Sequence, residues 1–140
     1  MTVHELLEQQ LAESGAMLTR SFNGISEADA DAKSHPLAMS ARETAVHLTE
    51  CYLAAQAELK GEKFAWGSYE PAATTLAEQL EACGQARSEA VAALLDADEE
   101  VAANLAFAYV VTHDHYHVGQ MVTLRLSIDA TWNYMSIYGE

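Results

Sequence analysis

The chain has 140 residues, with 21 Asp and Glu against seven Lys and Arg, for a net charge of −14. Such a surface repels a nucleic-acid duplex or an anionic membrane, and the seven cations (Arg20, Lys33, Arg42, Lys60, Lys63, Arg87 and Arg125) form no patch, so neither partner is expected. One domain covering residues 1–140 is expected, because a single core at this length buries roughly 68% of the unfolded surface.

Two Pro and seven Gly in an Ala-, Leu- and Glu-rich chain favour an all-α fold. Thr2-x-x-Glu5 has the form of a capping box and opens a first helix with an apolar stripe at Leu7, Leu11, Leu18 and Phe22. Asn23-Gly24 is its expected stop, and Ser26-x-x-Asp29 suggests a short turn beyond it. Ser40 to Glu43, "SARE", opens a second helix that runs to about Gly61. Thr75 to Glu78, "TLAE", opens a third, with Leu76, Leu80, Val91, Leu94 and Leu95 as core candidates. A fourth begins near Asp98 and continues to about Ile128.

Residues 61–72, "GEKFAWGSYEPA", and the tail 129–140, "DATWNYMSIYGE", read as irregular. Four helices make a four-helix bundle. The connections between helices 1 and 2 and between helices 2 and 3 are both long enough to cross the bundle. An up-up-down-down order is therefore feasible, with up-down-up-down left open. No apolar run approaches the roughly 20 residues of a membrane span. The acidic, amphipathic start "MTVHELLEQQLAES" is unlike a secretion signal, and Cys51 and Cys83 form no close-spaced motif, so a cytoplasmic location is expected.

The chemistry concentrates in "HDHYHVGQM", residues 113–121, which holds three of the six histidines. Helical residues four apart lie nearly over one another, so His113 and His117 share a face with Val110, Gln120 and Leu124. His115 points away, in company with Asp114 and solvent. Two inward imidazoles are costly unless they share a partner, and one divalent metal ion is such a partner. His47, in "ETAVHLTECYLAA", is the one other histidine inside a strong helical stripe, and Cys51 and Ala54 fit the same inward face. His4 falls in the first turn of helix 1, and His35 precedes Pro36 in a loop. Set against the metal are hydrogen-bonded core histidines, since an H-x-x-x-H pair also arises by chance.

"MSARETAVHLTE" (39–50) followed by "HDHYHVGQM" (113–121) resembles the DinB/YfiT-like family of metal-dependent enzymes, which includes bacterial thiol S-transferases. The resemblance covers nearly the whole length. It implies an up-up-down-down bundle, commonly a homodimer, and a metal site that falls on His47, His113 and His117, with Gly119 and Gln120 completing the fourth-helix motif. Met39 stands where the family often has tryptophan. The resemblance further implies transfer of a low-molecular-weight thiol onto a small electrophilic substrate, or a related isomerase or hydrolase chemistry.

Three neutral imidazoles leave a divalent ion with open positions, as in catalytic zinc sites. Zinc and nickel come first as occupants, with iron and manganese next, because ligand type alone discriminates poorly. Cys51 is either a pocket-lining ligand or a buried structural thiol, with the second reading weighted. Glu50 or Glu43 could orient His47, a capping role being weighted for Glu43. Gln120 either bonds a ligand or satisfies backbone, while Trp66, Tyr69, Trp132, Tyr134 and Tyr138 either roof a pocket, meet a partner copy or pack the core. A ferritin-like di-iron site wants Glu-x-x-His motifs, and His47-x-x-Glu50 is reversed. The alternatives to an enzyme are a binding protein that holds a ligand or regulatory metal without turnover, and a structural dimer.

Overall fold

Each helix starts where a side chain can occupy its free backbone amides. In the computed structural model, which describes residues 1–140, α1 spans Val3–Phe22, α2 Ala41–Leu59 and α3 Leu76–Asp96. The fourth helix runs unbroken through α4 (Glu99–Ala106), a π-helical turn at Phe107–Val111, and α5 (Thr112–Ile128). There is no strand, and short 3-10 turns occur at Glu27–Asp29 and Tyr134–Tyr138.

Thr2 accepts from the Glu5 amide while Glu5 accepts from the Thr2 amide, so the expected capping box is complete. Ser40, Thr75 and Asp98 cap the other three starts through their side-chain oxygens. Past the stop of α1, Gly24 adopts φ +85°, a conformation that costs glycine nothing.

Side-chain contacts fix the helix directions. Ser14 meets Asp114, and Arg125 donates to the Ser21 and Asn23 carbonyls, so α1 and α5 run the same way. Arg42 meets Gln79 and Gln56 meets the Ala86 carbonyl, so α2 and α3 are also parallel to each other. Arg87 reaches Leu11 and Ser14 whereas Glu27 caps Leu76, so α1 and α3 are antiparallel. The order is up-down-down-up, which corrects the up-up-down-down expectation. The physical reason lies in the connections. Residues 23–40 turn back at one end, where the Arg42 amide bonds the Ala30 carbonyl and its guanidinium holds Glu27 and Asp31. It is the stretch after α2 that returns along the bundle, and Arg42 also holds its far end at the Thr74 carbonyl.

The core contains Leu7, Leu11, Leu18 and Phe22 of α1, Leu48 of α2, Leu76 and Leu94 of α3, and Val110, Val118, Met121 and Leu124 of the fourth helix. Each such side chain contributes about 1.5–3 kcal/mol when fully buried. Leu80, Val91 and Leu95 are only partly buried against it. No helix is long and apolar enough to cross a membrane.

Through this core runs one polar tie. Asp114 is fully buried and accepts from Arg87 Nε and Nη2 at 3.0 and 2.9 Å, Ser14 Oγ at 3.0 Å and Tyr52 Oη at 2.5 Å. Residues from three helices thus meet on a single carboxylate of the fourth. Gly15 makes room for it: a Cβ there would lie 2.5 Å from Arg87 Nη1.

Candidate metal centre

The antiparallel packing of α2 against α5 brings His47 across from the His113/His117 pair. One nitrogen from each of the three rings lies within 4.8 Å of the others, a group that could hold a metal ion. His47 Nε2 and His113 Nε2 are 3.0 Å apart, and the ring centroids are separated by 4.8 to 5.1 Å. His47 and His113 are partly exposed, whereas His117 retains 1% of its surface. The three residues anticipated as ligands therefore converge.

Their protonation suits ligation. Burial holds the His117 imidazole down to about 4, assisted by His113 and His47, and burial followed by the neighbouring His47 lowers His113 as well. Both rings are neutral at pH 7, with lone pairs available. Between His47 and His113 one neutral ring can donate to the other. His117 has no such recourse: both of its nitrogens are buried and without a hydrogen-bond partner. Gln120 lies close enough to favour the charged ring, yet its side-chain oxygen is itself buried and outside hydrogen-bond geometry. Its amide nitrogen donates to Tyr116 Oη at 3.1 Å. A buried polar group left in this state costs about 1–3 kcal/mol. An ion among the three nitrogens supplies the missing partner, so the residues fit a metal.

The neighbours differ from expectation in several places. Asp114 does not keep His115 company in solvent; it is the buried hub described above, and His115 alone is exposed. Glu50 does not orient His47, because its carboxylate accepts from the Gly67 amide and pins the α2–α3 connection. Glu43 donates its backbone amide to the Ser40 cap, and its carboxylate pairs with Lys33 at 3.1 Å rather than orienting His47. Cys51 is buried, with Sγ 3.6 Å from His47 Nε2 and 3.7 Å from His113 Nε2. Burial, then the Glu50 charge, pushes its thiol up to about 12. Of the aromatic residues, Trp66 is exposed and stacks on Tyr109, one turn before His113. Trp132 lies under the Arg125 guanidinium at 4.2 Å. The tail is tied to α1, where Arg20 donates to the Ile137 carbonyl.

Sequence reasoning gives no role to Ser14, Tyr52 or Arg87 and places Asp114 in solvent. A signal existed for Asp114, which falls in the apolar stripe Val110, Val111, Val118 and Met121. It also gave no hint of the π turn, where Thr112 Oγ1 bonds the Phe107 carbonyl just ahead of His113. A cavity of about 520 Å³ between α1 and α3 lies elsewhere. Leu18, Phe22, Leu76 and Leu80 line it, and no histidine does, so the centre is identified by its orphaned imidazole rather than by open volume.

Fold and site together define an all-helical protein with a three-histidine group able to take a metal ion. No family model, curated protein or solved structure matches the chain.

Proposed function

We propose that this chain is a divalent-metal-dependent enzyme of the DinB/YfiT type, holding one ion through His47, His113 and His117 and transferring a low-molecular-weight thiol to a small electrophilic substrate. The observation that carries the metal is the His117 ring, buried with both nitrogens unpartnered. The thiol chemistry rests on the resemblance of "MSARETAVHLTE" and "HDHYHVGQM" to that family. Two imidazoles come from one face of α5 and the third from α2, and burial keeps water from competing at His117. A divalent ion held there supplies Lewis acidity, lowering the pKa of a coordinated thiol or water. Zinc and nickel suit an imidazole set first, iron and manganese next. A cytoplasmic homodimer is the setting this reading expects.

A second reading is a metal- or ligand-binding protein without turnover. It is favoured by the open cavity lying between α1 and α3, away from the imidazoles. Elemental analysis of protein purified without a nickel column tests the metal, and no ion retained or taken up overturns the enzyme and the metal-binding form of the second reading. A screen of small thiols against electrophilic acceptors then separates them. Turnover that vanishes in His117→Ala supports the enzyme; tight thiol retention without turnover supports the binding protein.

A further inference from the structure

We propose that Cys51 is a fourth ligand of this centre, so that the donor set is three imidazoles and one thiolate. The inference rests on the reading of the histidines as a metal centre. It goes beyond that reading in the donor set, and hence in the ions preferred.

The argument starts from spacing. His47-x-x-x-Cys51 on α2 repeats the i, i+4 arrangement of His113-x-x-x-His117 on α5. Each pair therefore presents two side chains on one helical face, and the two helices pack antiparallel with those faces opposed. The Cys51 sulfur lies 3.6 and 3.7 Å from His47 Nε2 and His113 Nε2. A tetrahedral ion with nitrogen at about 2.0 Å and sulfur at about 2.3 Å separates those two donors by about 3.5 Å. The sulfur–nitrogen distances match the separation of two ligands on one ion, and in the metal-free chain they also let the thiol donate to a ring nitrogen.

A second, independent observation points to the same place. His117, from the opposite pair, has both nitrogens buried and unsatisfied within the cluster. Three imidazole nitrogens converge from two helices, the Cys51 sulfur lies against two of them, and the buried third imidazole has no partner inside the chain. Ligation displaces the thiol proton: the S–H bond breaks, a sulfur–metal bond forms, and the proton passes to solvent without any change of oxidation state.

The consequence is selectivity. A thiolate among imidazoles favours zinc or cobalt over manganese, which prefers oxygen donors. Four protein ligands also close a tetrahedral site, so a substrate thiol would bind as a fifth donor or in exchange for Cys51.

Cobalt titration of the metal-free full chain, followed by absorption, tests the proposal. The expected result is visible d–d bands together with an intense near-ultraviolet sulfur-to-cobalt charge-transfer band. In Cys51→Ser the charge-transfer band should be lost while the d–d bands remain. Cys83→Ser, altering the other thiol, should keep both. Wild-type d–d bands without charge transfer overturn the fourth ligand and leave the three-histidine centre standing. So does a charge-transfer band that survives in Cys51→Ser. No cobalt bands at all overturn the centre and this inference together. Should Cys51→Ser not fold, Cys83→Ser decides the matter: a charge-transfer band kept there leaves Cys51 as the one cysteine able to supply it, and its loss there overturns the proposal.

Discussion

Asp114 and His117 lie three residues apart on α5, both are buried, and they have opposite fates. Asp114 collects bonds from Ser14, Tyr52 and Arg87, so its charge is matched entirely within the chain. His117 is comparably buried and has no bond on either nitrogen. A saturated buried group holds the fold together, whereas an orphaned one lowers stability until something outside the chain completes it. The four-helix tie and the candidate metal centre can be told apart by that difference alone.

The contrast is broken most severely at the carboxylate. Asp114→Ala strands the Arg87 charge and the Tyr52 hydroxyl, and urea unfolding should show a loss of about 3–5 kcal/mol. A substitution at His117 should do the reverse in metal-free protein. His117→Leu removes two unsatisfied nitrogens, and stability should hold or rise by about 1 kcal/mol. In the presence of an ion at a hundredfold excess over its Kd, wild type should gain about 2.7 kcal/mol that His117→Leu does not. A large loss in the metal-free variant would show that His117 is structural after all.

Two smaller effects sharpen the picture. Gly15→Ala should improve helix propensity by about 1 kcal/mol, yet it drives a methyl against Arg87, so thermal melting should show a net loss of about 1–2 kcal/mol. Acid acts on the other region. Burial depresses the folded His117 imidazole from 6.5 to about 4, so as pH falls below 6.5 the unfolded chain takes up a proton that the folded chain does not. Stability of the metal-free protein should therefore fall between pH 6.5 and about 4, with the His117 contribution flat below that, and the slope should shrink in His117→Leu. The smallest effect belongs to His115→Ala. Its ring is exposed, and metal content measured by elemental analysis should not change.

Local information was sufficient for much of this. Thr2, Ser40, Thr75 and Asp98 each satisfy amides within a few residues, so all four helix starts were legible from capping chemistry. His113 and His117 had to share a face, because the helix repeat dictates it. His47 could be nominated by its stripe, but nothing local brings α2 to α5.

Helix order was the part that sequence misjudged. Connection length sets how far a chain can reach, not which way it turns, and the turn was settled by Arg42 holding Glu27, Asp31 and the Thr74 carbonyl together. Asp114 was misjudged for a related reason. A carboxylate reads as solvated until its partners are known, and those partners lie 27 to 100 residues away in sequence. Capping and periodicity are short-range and were decided by the amino-acid order. Charge burial, helix direction and the meeting of three imidazoles depend on long-range pairing, which only the folded chain supplies.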